Sequence, residues 1–342
     1  MQDRASSDTG RVLGVTTRNH ASLIVASAGW AMGTVLAKFA LSGFGPVTTL
    51  VIELAAANVV VWAVALRRGY RRPNGFGRLA LLGLLEPAVA YAARTVGLGM
   101  TSASNASLLS GTESVFGVLL AAVFLREGIT RRGVAGLVVA VTGVVALGGG
   151  PSLGAFGPGD ALVLLEALTA AVYSVLAARM VAAEDPDTVT AHQFGFGLAF
   201  TLPAAVVQWS TGAETLDVPA QYWVAAIVSG AVGFGASFLL YNRAIVHVSV
   251  SSAAMILNLI PIFGVAAAVA FLGESLTVPL LVGAALVLGG IALFPHHDLR
   301  DGNLACRLCN GCAARCPEGL LAATVGTHGR SHTLSHSRVP VD

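Results

Sequence analysis

From residue 20 to residue 295 the sequence is a succession of apolar runs, each about as long as a bilayer is thick. A helix rising about 1.5 Å per residue needs about 20 apolar residues to cross the hydrocarbon core. Ten such runs are expected as spans, over 20–41, 46–66, 79–98, 102–125, 132–149, 159–181, 189–210, 221–242, 248–272 and 277–295. Hydrophobic residues make up 55% of the chain and charged residues only 11%, with a mean hydropathy of +0.76. A soluble domain keeps about 25% of its residues charged so that its surface stays wetted. The 40 glycines fall mostly inside apolar runs, where small residues let membrane helices approach closely. The chain reads as an all-α integral membrane protein of ten transmembrane helices. Its net charge of +2 gives no argument for a nucleic-acid partner. Arg4, Arg11 and Arg18 precede the first apolar run, which is long enough to span, so no cleavable signal peptide is expected.

Arginine placement sets the orientation, because cytoplasmic loops retain positive charge. With the N-terminus inside, the inner loops receive Arg67, Arg68, Arg71, Arg72 and Arg78, then Arg126, Arg131 and Arg132. The opposite loops, at 42–45, 99–101, 150–158, 211–220 and 273–276, contain no Lys or Arg. Both termini are then cytoplasmic, and the membrane is the inner (plasma) membrane. A shift of 147 residues lays 116–130 over 263–277, matching Phe116 to Phe263, Glu127 to Glu274 and Thr130 to Thr277. Gly136 and Gly143 fall on Gly283 and Gly290 in the same register. Five spans per repeat is an odd number, so the second repeat enters from the opposite side. This is the inverted arrangement of many secondary carriers, whose solutes bind near the midplane between the halves. The expected divisions are a cytoplasmic tail at 1–19, five-helix repeats at 20–149 and 159–295, and a Cys/His-containing tail at 296–342.

The repeated segments "MTSASNASLLSGTESVFGVLLAAVFLREGIT" (100–130) and "VSVSSAAMILNLIPIFGVAAAVAFLGESLT" (248–277) are each followed by a glycine-bearing helix, "GLVVAVTGVVAL" and "GAALVLGGIAL". With Trp30 and Lys38 in the first span, they resemble the EamA-like ten-helix members of the drug/metabolite transporter superfamily. The resemblance covers roughly residues 20–295. It implies a secondary carrier, often an exporter, for amino acids, metabolites or drugs, working by alternating access. Ser114 stands where the second repeat has Pro261, and Glu53 stands where many members carry a basic residue, so the resemblance does not extend to a substrate.

Ionisable groups within spans are costly and each needs a reason. Lys38 and Arg94 lie within about two turns of the outer face, in snorkelling reach. Glu53 lies at the depth of Arg94 and is expected to form a structural ion pair with it. Glu166 is placed to serve Lys38 in the same way. Glu113, near the middle of span four, and Glu86, directly before Pro87, have no evident basic partner. Each is either a neutral carboxyl bonded across helices or a group that exchanges protons or meets a cationic solute. The polar residues Asn105, Ser110 and Asn258 join them as candidates for the solute or ion pathway, with Tyr91 as a wall; helix pairing explains these residues as readily. Glu127 and Glu274 are expected to lock tight turns ahead of Thr130 and Thr277 by accepting backbone N–H bonds. The expected partners are a small organic solute, the bilayer, and protons or another coupling ion, with a homodimer left open and no cofactor implied. An importer of a metabolite is the other transport reading. No Walker sequence and no Ser/His/Asp set suggests an enzyme.

The four cysteines, Cys306, Cys309, Cys312 and Cys316, stand in the C-x2-C-x2-C-x3-C-P spacing of iron–sulfur ferredoxins. A membrane-anchored iron–sulfur redox protein is therefore the alternative from another class. In ferredoxins the fourth Cys of such a run commonly serves a second cluster, and no second run is present, so the motif reads as an appendage. Truncation after Asp301 should leave membrane abundance and transport unchanged. Lost transport at normal abundance would give the cysteines a part in the carrier, and a brown, iron-bearing anaerobic preparation would support the redox reading.

Overall fold

The computed structural model describes residues 2–73, 75–113, 115–117, 119–120, 131–147, 156–180, 184–245 and 256–293. The chain divides into units of residues 1–297 and 298–342, and the second, with all four cysteines, lies outside the described residues. Among the described residues there are helices and no strands. In chain order they are α1 (Gln2–Ala40), α2 (Pro46–Arg67), α3 (Phe76–Gly83), α4 (Ala90–Met100), α5 (Ala103–Ser110), α6 (Arg131–Leu147), α7 (Pro158–Met180), α8 (Pro186–Ser210), α9 (Ala220–Val228), α10 (Ser237–Ile245), α11 (Leu259–Leu272) and α12 (Val278–Leu293). Loosened turns of the π type, Leu84–Val89 and Ser229–Ala236, join α3 to α4 and α9 to α10.

Four stretches are long and apolar enough to cross a bilayer: Arg18–Ala40, Pro46–Arg67, Phe76–Met100 and Ala220–Ala244. The expected spans over 102–125, 132–149, 248–272 and 277–295 extend beyond the described residues, so those residues alone do not amount to ten spans. α1 begins at Gln2, so the segment expected as a polar tail continues the first span as helix.

Local chemistry sets the helix starts. Pro46 and Pro186 open α2 and α8, where a missing N–H costs nothing. Asp185 accepts from the Thr188 N–H, and Ser102 caps α5 by accepting from the Asn105 N–H at 3.0 Å. α11 stops at Gly273, whose φ of +67° is the left-handed conformation that glycine adopts without strain.

Contacts between the repeats are reciprocal. A methyl group on Gly143 would come within 2.6 Å of the Val287 nitrogen, and one on Gly290 within 2.5 Å of the Ala140 nitrogen. The 147-residue shift turns Gly143 into Gly290 and Ala140 into Val287, so this is one contact made twice with the partners exchanged. Gly83 meets the Gln193 carbonyl on α8, and its counterpart Gly230 meets the Glu53 carbonyl on α2; these partners are related by a shift of 140, the one that carries Pro46 onto Pro186. The loosened turns obey the 147-residue shift: Leu84–Val89 maps onto residues 231–236, inside Ser229–Ala236. Reciprocity of this kind is what a two-fold relation between the repeats produces.

Gly143→Leu and Gly290→Leu should each force α6 and α12 apart, at a cost of about 1–3 kcal/mol from overpacking. Both should lower membrane abundance and the thermal midpoint in detergent. Gly77→Leu should do neither, because nothing lies within 4 Å of that position. Equal stability in all three variants would refute the close-packing role.

Candidate functional site

Two helix interruptions meet the ionisable residues. At Glu86 the backbone leaves the helical region, with φ −144° and ψ 117°. A residue before proline is pushed towards extended backbone, and Pro87 follows. α5 ends at Ser110 and the chain turns through Gly111 and Thr112, directly ahead of Glu113. The shift of 147 carries Gly111 onto Asn258, where the chain turns again before α11. Carboxylates thus stand at broken backbone, where unpaired peptide groups favour a water-lined space over lipid.

Glu113 Oε1 accepts from the Ser174 hydroxyl on α7 at 3.3 Å. Glu166, also on α7, accepts from the Ser110 hydroxyl at 2.9 Å. Glu86 lies within electrostatic reach of Glu113, Glu166 and Arg94. Glu86 and Glu113 are half-buried. Three tyrosines lie near these carboxylates. Tyr91 is 4% exposed, with its ring 4.2 Å from that of Phe234. Tyr173 accepts from Gln193 Nε2 at 2.8 Å, and Tyr241 packs edge-on against Trp30 at 5.5 Å. Both tyrosines lie within reach of Glu86 and Glu113.

The expected ion pair between Glu53 and Arg94 does not form. Glu53 is fully buried and accepts from the Ser229 hydroxyl through Oε1, while its Oε2 has no hydrogen-bond partner. Arg94 donates to the Thr34 hydroxyl and lies 5.5 Å over the Phe234 ring. Glu53, Glu86 and Glu166 all feel the Arg94 charge at longer range. One guanidinium is shared among three carboxylates, and its hydrogen bond goes to a neutral hydroxyl.

Lys38 is also placed differently from expectation. It does not meet Glu166; its Nζ donates to the carbonyls of Leu98 and Thr101 at 2.7 and 2.6 Å. A cation at the C-terminal end of α4 is favoured by the helix dipole. Glu274 accepts backbone N–H bonds as expected, but from Ala103 at 2.7 Å and Ser104 at 3.0 Å, the first turn of α5 in the other repeat. Thr277 takes up the turn ahead of α12 by accepting from the Leu280 N–H. Glu127 lies outside the described residues. At the same end of the molecule, Glu214 accepts from the Gly45 N–H and from the Thr48 hydroxyl, and Thr101 donates to Asp160. Each of these bonds ties the first repeat to the second.

Ser110 therefore belongs to the carboxylate cluster. Asn105 sits beside the Glu274 cap, about 7 Å along the helix from Ser110. Asn258 marks the counterpart turn. Sequence reasoning missed Ser174, Gln193 and the bidentate ion pair of Arg243 with Asp187 at 2.8 and 2.9 Å. A glutamine in an apolar helix was a signal for Gln193; nothing local pointed to Ser174. Two apolar hollows flank α11, of about 350 Å³ beside Leu108, Pro261 and Leu288 and about 310 Å³ beside Met32 and Phe271. Neither is lined by an ionisable side chain, and both are separate from the carboxylates.

The EamA-like transporter family model matches residues 19–149 and 157–294. An uncharacterized transporter of Archaeoglobus fulgidus is 25% identical over 289 residues, covering 82% of this chain and 98% of that protein. A probable terminal-alkyne amino-acid exporter of Streptantibioticus cattleyicolor is 29% identical over 284 residues, covering 81% of this chain and 93% of that one. A solved crystal structure matches with a TM-score of 0.57 at 22% identity, over 82% of this chain and 98% of the other, a likeness of fold alone. The two matched segments take in most of the chain, and the protein belongs to the EamA-like transporter family: it is a multi-pass membrane transporter and not an enzyme.

Proposed function

We propose that this transporter is a ten-span secondary carrier of the inner membrane, with both termini cytoplasmic, that exports a small organic solute by alternating access. In this reading Glu113 and Glu86 exchange protons for solute where the repeats meet. The observation that carries it is the placement of two half-buried carboxylates at interrupted helices, within electrostatic reach of each other. A carboxyl with one long hydrogen bond, or none, loses little when its proton leaves or a solute arrives. Reciprocal packing of α6 and α12 supports the second half of the idea, since two related repeats can exchange conformations about a fixed site. Export is favoured by the exporter among the relatives.

Glu113→Gln keeps shape and hydrogen bonding but removes the exchangeable charge. In cells overproducing the variant, metabolite release at several external pH values should fall about tenfold or more, the factor given by about 1.4 kcal/mol. Membrane abundance should be normal. Wild-type release with wild-type pH dependence would remove Glu113 from the mechanism.

Orientation is tested in a variant without the four native cysteines. A cysteine introduced between 150 and 158 should react with an impermeant thiol reagent added outside, and one between 70 and 76 should not. The reverse pattern would overturn the proposed topology.

A further inference from the structure

Among the described residues the two carboxylates at the helix breaks accept few hydrogen bonds. Among the described residues Glu86 receives no hydrogen bond on its carboxylate, and Glu113 receives one long bond, at 3.3 Å. Gln193 is 1% exposed; its Nε2 donates to Tyr173 while its Oε1 meets no donor. Tyr173, to which Gln193 donates, lies within electrostatic reach of Glu86 and Glu113. A buried acceptor without a partner is costly, so an occupant that donates is favoured there. The nearby cation supplies little. Arg94 is committed to Thr34 and to the face of Phe234, and its charge is divided among Glu53, Glu86 and Glu166.

We propose that the solute is an organic amine, held by its ammonium group between Glu86 and Glu113 with its apolar body against Tyr91, Tyr173 and Tyr241. This rests on the carrier reading and adds the chemical class of what is carried. An ammonium offers three N–H donors and no acceptor, which suits two carboxylates that accept few hydrogen bonds. Aromatic faces attract cations; Tyr173 and Tyr241 lie within reach of both carboxylates, and Tyr91 within reach of Glu86. A solute carboxylate finds no such welcome. It would add negative charge to three glutamates and would need an arginine that is already occupied. An amine without a carboxyl group is therefore preferred to the corresponding amino acid.

Phenethylamine, phenylalanine and phenylacetate share one ring and differ in head group, so they separate these cases. Binding of each to the purified full-length protein in detergent is measured by titration calorimetry. Phenethylamine should bind about tenfold or more tightly than the other two, as the loss of a charge-assisted hydrogen bond implies. Glu86→Gln and Glu113→Gln should each weaken it by a similar factor. Size-exclusion profiles identify a misfolded variant, in which case the other carries the comparison. Tightest binding by phenylalanine would mean that Arg94 reads a carboxylate, and the proposal falls. It falls equally if phenylacetate binds best, if the three are indistinguishable, or if none binds. The carrier reading is judged separately, by the metabolite-release assay, which uses no chosen solute.

Discussion

A peptide group in hydrocarbon has no water to bond, so a membrane helix can break only where protein or a water-filled space satisfies its freed N–H and C=O groups. That constraint organises this molecule. The chain breaks at Glu86 and at Gly111–Thr112, and both breaks stand next to half-buried carboxylates. A break and a charge have the same requirement, a polar interior, and placing them together lets one space serve both. The counterparts of these breaks, in Ser229–Ala236 and at Asn258, carry no carboxylate. Gly233 stands at the position related to Glu86 and packs backbone to backbone against Gly33. One repeat carries a carboxylate in the loosened turn, and the other carries a glycine at a close helix contact.

Charge is distributed rather than paired. In a low dielectric an isolated ion pair must recover a large desolvation cost through good geometry. Here Arg94 faces several carboxylates at once and bonds directly to none of them among the described residues. Its position over the Phe234 ring supplies part of the missing solvation, since an aromatic face is electron-rich. Such an arrangement tolerates a change in the number of protons on the glutamates better than a tight pair would, because no single contact is lost when one is neutralised.

Much of this was legible from sequence. Apolar run lengths placed helices close to the observed Pro46–Arg67, Pro158–Met180 and Val278–Leu293. Register within the repeat singled out Gly143 and Gly290, which make the reciprocal contact. The partners of buried polar groups were less legible. Rise per residue gives the depth of Glu53 and Arg94 but not the direction each faces around its helix. Glu53 turns to Ser229, while Arg94 turns to Thr34. Depth also could not show that Glu274 bonds to α5 rather than to the turn beside it, since that depends on how the repeats dock. Ser174 had no local signal because serine in an apolar helix commonly bonds its own backbone.

α5 has eight residues, a rod about 12 Å long. One end is gripped by Glu274, through the N–H groups of Ala103 and Ser104, and the other is held by Ser110 against Glu166. A short rod pinned at both ends cannot tilt from one end alone. Any swing of the second repeat that draws Glu274 away either releases two charge-assisted bonds, worth about 1.5–3 kcal/mol each before water replaces them, or drags α5 with it. Dragging it moves Ser110, and with it the turn that carries Glu113. The loop at the surface and the carboxylate in the interior are therefore geared through a single helix, with Gly111 as the universal joint.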